Sequence, residues 1–177
     1  MGGNPAGDIA LTIDPNGFAA TASYDVRGRL ISQTAPSGGG TTTYAYDLAS
    51  RLTSLTDPVG NVTSWTHDDV GRAKTEVDPL GKTTTFACDV VGNLTRRTDR
   101  LGRIVDYGYD ANDRPTTETW LPAGGGTAVN AVIYTYDDAG RVTQIQDGAS
   151  KYAHGYAAAN RPITVNDQGP PACPRSP

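Results

Sequence analysis

The sequence predicts an all-β fold: an antiparallel β-hairpin meander of about seven short repeats that form one curved sheet. Three observations carry this reading. First, an Asp-x-x-Gly-Arg motif recurs with starts at residues 24, 46, 67, 88, 109, 136 and 156, at intervals of 22, 21, 21, 21, 27 and 20 residues. Second, a further turn signal stands about eleven residues after most starts, as in Asp57-Pro58-Val59-Gly60. Third, the segments between turns are short and rich in Thr, Val, Ile and aromatics, and none sustains a 3.6-residue period. A repeat of this size cannot bury a face alone, so neighbours must stack.

The first turn of each repeat is Tyr24-Asp25-Val26-Arg27-Gly28-Arg29, with counterparts from Tyr46-Asp47 to Ser50-Arg51, His67-Asp68 to Gly71-Arg72 and Cys88-Asp89 to Gly92-Asn93. It continues from Tyr109-Asp110 to Asp113-Arg114, from Tyr136-Asp137 to Gly140-Arg141, and in a degenerate copy from Tyr156 to Arg161. The second turn is clearest at Asp57 to Gly60, Asp78 to Gly81 and Asp99 to Gly102, while Asp14-Pro15-Asn16-Gly17 precedes Tyr24 at the same offset that separates Asp57 from His67. Asp at the first corner accepts a backbone hydrogen bond, Pro pre-sets φ at the second, and the fourth position needs a residue that tolerates positive φ. The spacing therefore divides the chain into an N-terminal lead over 1–13, partly irregular, a repeat array over 14–169 and a Pro-rich tail over 170–177 expected to be disordered. The array begins inside a repeat, which reads as a piece of a longer pattern.

Aromatics fall in register. Tyr44, Trp65, Phe86, Tyr107 and Tyr134 stand two residues before their repeat starts, and Tyr24, Tyr46, Tyr109, Tyr136 and Tyr156 occupy the starts. Residues two apart on a strand share a face, so each repeat adds to one aromatic column. Across the first turn the start residue opposes a Leu or Val slot, as Tyr24 with Leu30 and Tyr46 with Leu52. The flanking positions pair Asp25 with Arg29, Asp47 with Arg51, Asp68 with Arg72 and Asp137 with Arg141, read as turn-closing ion pairs on the opposite face. An exposed pair of that kind contributes about 0–1 kcal/mol.

Parity sets a further requirement. Two like turns in an odd-numbered repeat would present opposite faces in alternate repeats, yet the aromatic column stays in phase. Each repeat must therefore absorb one residue, most simply as a β-bulge.

The long 27-residue interval contains Leu121-Pro122-Ala123-Gly124-Gly125-Gly126-Thr127, an enlarged second turn, and Pro36 to Gly40 is a smaller swelling. Neither has the Lys-Ser/Thr of a phosphate loop. His67 and His154 sit in aromatic slots, and no nucleophile or metal motif is present, so the chain reads as non-enzymatic with no cofactor. The aspartates are spaced as turn corners rather than clustered as calcium ligands. Cys88 replaces a start aromatic and Cys173 lies in the tail, so the two thiols are read as unpaired. A net charge of −4 without a basic run argues against nucleic acid as a partner. No apolar run approaches the roughly 18 residues of a membrane helix, and residues 1–7 lack the basic and apolar regions of a secretory signal.

The Tyr-Asp-x-x-Gly-Arg-Leu motif, with its intervening Asp-Pro-x-Gly and 21-residue interval, resembles the YD repeat of Rhs proteins over roughly residues 14–169. That family includes bacterial Rhs and wall-associated polymorphic toxins, insecticidal toxin-complex subunits and the animal teneurins. The resemblance implies a segment of a hollow β-shell able to enclose a C-terminal toxin, with further YD repeats of a parent chain as partners. It also implies secretion or surface exposure as part of a larger protein, and the abundance of Arg over Lys points to a bacterial source. An alternative is a cell-surface carbohydrate-binding module in which Trp65, Tyr107, Trp120 and Tyr134 stack on glycans. A repeat array with open strand edges is also expected to self-associate.

Overall fold

The computed structural model describes residues 9–156 and 162–167. The tail, Cys173 and the seventh first-turn segment at 157–161 lie outside the described residues. Fifteen strands are present among those described: β1 (Ile9–Ile13), β2 (Ala19–Tyr24), β3 (Leu30–Thr34), β4 (Thr41–Tyr46), β5 (Leu52–Thr56), β6 (Val62–His67), β7 (Ala73–Val77) and β8 (Thr83–Cys88). They continue as β9 (Leu94–Thr98), β10 (Ile104–Tyr109), β11 (Pro115–Leu121), β12 (Asn130–Tyr136), β13 (Val142–Gln146), β14 (Lys151–Tyr156) and β15 (Pro162–Asp167). Two strands per repeat over seven repeats account for fourteen, and Ile9–Ile13 ahead of the first turn adds the fifteenth. The helical structure among the described residues is one 3-10 turn, Pro36–Gly38, inside the smaller swelling.

The chain forms two compact units, Met1–Thr84 and Thr85–Pro177. In each, strands hydrogen-bond in chain order and antiparallel, β1 to β7 in the first and β8 to β15 in the second. No described hydrophobic residue is fully buried; Asp78 and Thr84 are the two buried residues. Within each unit, cohesion must come from contacts between successive repeats.

Both turn types close identically. In the first turn the Asp25 N–H donates to the Arg29 carbonyl at 2.9 Å and the Gly28 N–H to the Asp25 carbonyl at 2.9 Å. In the second, Asp57 N–H to Asn61 carbonyl and Gly60 N–H to Asp57 carbonyl repeat the pattern at 2.9 and 3.0 Å. The fourth corner of the Asp-x-x-Gly turns has positive φ, +92° at Gly71, and φ is 65° and 59° where Ser50 and Asp113 replace glycine. A Cβ built on Gly71 would meet only the Arg51 side chain at ordinary contact distance, 3.7 Å, so strain rather than collision decides a substitution there. Gly71→Val is expected to lower stability by about 1–3 kcal/mol, measured as a shift in the urea midpoint. A loss below half a kilocalorie would remove the requirement for left-handed backbone at this corner.

The parity requirement is met by a bulge in every first-turn hairpin. Tyr46 pairs with Leu52 and Ala45 with Ser54, leaving Thr53 as the extra residue. The same shift lies between Ser23 and Tyr24, Thr66 and His67, Ala87 and Cys88, Gly108 and Tyr109, Thr135 and Tyr136, and Gly155 and Tyr156. The ladders across the second turns run without a shift, as Ser54–Ser64, Leu55–Thr63 and Thr56–Val62 show. Two unequal hairpins thus turn an odd repeat into an in-phase one. The predicted cross-turn pairs Tyr24–Leu30 and Tyr46–Leu52 form as expected.

Candidate functional site: the interlock between repeats

Each first-turn aspartate is a three-way clip. Asp25 Oδ1 accepts the Arg27 and Arg29 backbone N–H groups at 2.8 and 3.0 Å, and Oδ2 accepts Arg29 Nε at 2.6 Å. Asp47–Arg51, Asp68–Arg72, Asp110–Arg114 and Asp137–Arg141 repeat the ion pair at 2.6 Å. Second turns use the same clip with varied partners: Arg103 Nε donates to Asp99 at 2.7 Å and the Asn61 amide to Asp57 at 2.8 Å. In Asp78–Gly81, Asp78 Oδ1 accepts the Leu80 and Lys82 N–H groups.

Such contacts hold the carboxylates of Asp25, Asp47, Asp57, Asp68, Asp89, Asp99, Asp110 and Asp137 below their usual range. At Asp25, Asp68, Asp99 and Asp137 the side-chain hydrogen bond from the paired arginine is the largest cause. At Asp47 and Asp110 it is the backbone N–H of Arg51 and Arg114. Burial pushes Asp89 upward, but the Asn93 and Gly92 N–H groups outweigh it and the net shift is down.

The arginines also reach the next repeat, a role the sequence reading lacked. Alternation places the Asp–Arg pair opposite the tyrosines, but at the hairpin end the pleat gives way to the turn and the long side chain crosses over. The Arg29 guanidinium lies 4.8 Å from the centre of the Tyr46 ring, Arg114 lies 4.5 Å from Tyr136, and Arg141 lies 4.7 Å from Tyr156. Arg29 donates to the Asp47 carbonyl at 3.0 Å and Arg51 to the Asp68 carbonyl at 2.8 Å. Where Asn93 fills the arginine slot, its amide reaches Asp113 at 2.8 Å.

The start tyrosines return the contact. Tyr46 Oη donates to the Leu30 carbonyl at 2.9 Å and Tyr109 Oη to the Leu94 carbonyl at 2.9 Å. Tyr136 and Tyr156 donate to the Pro115 and Val142 carbonyls, each at 2.6 Å. The bulge explains these acceptors. The β3–β4 ladder begins at Ser32–Thr43, so Leu30 lies beyond its last rung and the tyrosine hydroxyl supplies the donor. Tyr46→Phe is therefore expected to cost about 1 kcal/mol in the urea midpoint; no change would mean water serves that carbonyl equally well.

The other column positions divide by environment. Tyr44, Trp65, Phe86, Tyr107 and Tyr134 are half-buried. Burial is the main cause raising the Tyr107, Tyr109 and Tyr134 phenols above their ordinary value. Trp65 Nε1 donates to Glu76 at 3.3 Å and Trp120 Nε1 to Glu118 at 2.6 Å. Trp120 is 44% exposed and borders a cleft of about 420 Å³ with Arg97, Tyr107 and Glu118, beside the enlarged turn. The structure thus brings Tyr107 and Trp120 together, while Trp65 lies in the other compact unit and Tyr134 lines a separate cleft with Tyr107 and Tyr136. Cys88 is a half-buried free thiol. Among the described residues no cluster of His, Cys, Asp and Glu is arranged to hold a metal ion.

A β-hairpin array whose turns are clipped by Asp and whose repeats interlock through Arg and Tyr is an all-β repeat protein. The RHS repeat family model matches residues 24–62, 67–99 and 89–119, just over half of the sequence. The chain belongs to the RHS repeat family. Solved structures agree on the fold: the TcdB2–TccC3–TEV crystal structure superposes with a TM-score of 0.69 at 16% identity, over 89% of this chain. TcdB2–TccC3–Cdc42 and TcdB2–TccC3 each give 0.70 at 15% identity over 89% of this chain. The present chain spans about 10% of the length of each of these chains. No curated protein matches the sequence.

Proposed function

We propose that this chain is a non-catalytic stretch of wall in an Rhs-type shell, part of a secreted or surface-exposed bacterial toxin-delivery protein. The interlock carries the reading. The tyrosine rings and hydroxyls are committed to the preceding repeat, and the arginines to the following one, so the regular surface chemistry is spent on building an array. A further YD stretch of a parent chain offers the same arginine and tyrosine slots to each end, and an enclosed C-terminal polypeptide is the cargo such a wall would shield. The test is limited proteolysis of the full-length gene product. A downstream polypeptide should resist cleavage while folded within the parent and become sensitive once expressed alone; equal cleavage rates would remove the shell reading.

The Trp120 cleft favours a second reading, a glycan-binding module, because there an exposed indole and a tyrosine line one cleft where the repeat is broken. In a Trp65→Phe background, Trp120 fluorescence would report a saturable response to neutral and acidic oligosaccharides. A flat titration would exclude it.

A further inference from the structure

One slot on the aromatic face departs from its counterparts. Across the first-turn hairpins Leu55 faces Tyr44 and Ile145 faces Tyr134, while Glu76 faces Trp65 and Glu118 faces Tyr107. Both glutamates accept an indole N–H, from Trp65 and from Trp120. The same slot opposite Phe86 holds Arg97, which is exposed and makes no hydrogen bond, ion pair or ring contact among the described residues. The interlocking arginines sit at hairpin ends and each pairs with an aspartate. Arg97 stands within β9 and ties no repeats together.

Register puts this arginine on the wall of the Trp120 cleft. Arg97 pairs with Val105 of β10, Val105 with Trp120 of β11, and Tyr107 with Glu118. Paired residues and residues two apart share a face, so all of them line the cleft of about 420 Å³ within the second compact unit, a size that takes a small molecule. Val105 and Tyr107 form the floor, with Arg97 on one side and Glu118 and Trp120 on the other. The two walls are two strand spacings apart, about 9.5 Å. Burial raises the Tyr107 phenol, Glu118 adds to that and Arg97 opposes it, so opposite charges flank one ring. The other charges of the lining cancel, since Arg103 holds Asp99 at 2.6 Å. What remains is the Arg97 guanidinium, the exposed Trp120 indole, and Glu118 Oε2, which accepts no hydrogen bond among the described residues.

Those three groups select the ligand. A guanidinium matches a carboxylate through paired N–H donors. The Glu118 oxygen needs a donor, and a hydroxyl supplies one without adding charge. The indole takes the C–H face of a ring. A phosphate ester would bring a larger negative charge beside Glu118, whereas a sugar ring that bears one carboxylate meets all three groups. We propose that the Trp120 cleft binds acidic carbohydrate, a hexuronate unit whose carboxylate pairs with Arg97, whose hydroxyls donate to Glu118 and whose ring packs on Trp120. The proposal rests on the glycan reading of this cleft and adds to it the charge of the sugar and the residue that selects it.

Isothermal titration calorimetry on the 177-residue chain tests it, with trigalacturonate and its methyl ester, the same sugar without the charge, as probes. At low salt the acid should bind at least about tenfold more tightly than the ester, the size of one charge-assisted hydrogen bond. Arg97→Gln should weaken the acid by the same factor and leave the ester unchanged, with an unchanged circular dichroism spectrum because Arg97 has no partner in the fold to lose. Trp120→Ala should weaken both sugars, since it removes the ring they share. Equal affinity for acid and ester, an Arg97→Gln variant that keeps the preference, or a Trp120→Ala variant that binds like the parent would each overturn the proposal. Equal affinity leaves the glycan reading standing, whereas a flat titration with both sugars removes the two together.

Discussion

Inserting one alanine between Thr53 and Ser54 is expected to cost the protein about 3 kcal/mol, while Thr53→Ala costs well under 1 kcal/mol. The side chain matters little; the residue count is what holds the register. Thr53 is the extra residue between the pairs Ala45–Ser54 and Tyr46–Leu52. With a second extra residue, a ladder that absorbs only one keeps either Leu55 opposite Tyr44 or Leu52 opposite Tyr46, and turns the other leucine to the opposite face. Exposing one half-buried aliphatic and losing its aromatic partner gives the expected size of the loss. Urea denaturation of the insertion, of Thr53→Ala and of the parent would decide it. An insertion no worse than the alanine variant would show that the residue count of this strand does not hold the register.

Acid should unfold the array through its turns. Asp25, Asp47, Asp57, Asp68, Asp89, Asp99, Asp110 and Asp137 all titrate below the ordinary carboxylate value of 3.8. A carboxylate depressed in the folded state binds fewer protons there than in the unfolded chain. Its contribution is present in full above 3.8 and is lost as pH falls through the lower folded value. Eight such groups act in the same direction. Urea midpoints should be level above about pH 5 and fall steeply below 3.8. Asp68→Asn, which keeps an acceptor but loses the charge, should lower stability at neutral pH and reduce the acid-dependent part. A level midpoint down to about pH 2.5, or a loss centred near neutrality, would contradict the assignment of these turns.

Much of the architecture was legible because it obeys local rules. The Asp, Pro and Gly corners specify turn type, the two-residue aromatic offset specifies face, and the odd repeat demands a bulge that the register shifts supply. The interlock was not legible. Arg29 and Tyr46 are adjacent only after a hairpin and a second turn intervene, and alternation alone assigned them to opposite faces. The co-recurrence of an arginine slot with a tyrosine at the next start was the available signal. The Tyr46 acceptor was hidden for a related reason, since a carbonyl freed by a bulge is a property of two strands together. Arg96 and Asp106, paired at 2.6 Å across β9 and β10, likewise lie ten residues apart with no motif to join them. The cleft at Trp120 could be anticipated only as an enlarged turn, because its walls come from three strands.

A double-mutant cycle on Arg114 and Tyr136 tests the claim that repeats hold one another most directly. The guanidinium sits 4.5 Å above the ring, and the hydroxyl of that ring reaches back to Pro115, beside Arg114. Urea midpoints of Arg114→Ala, Tyr136→Ala and the double variant give the coupling energy. An interlocked pair predicts about 0.5–1 kcal/mol of coupling. Losses that add to within about 0.3 kcal/mol would contradict it.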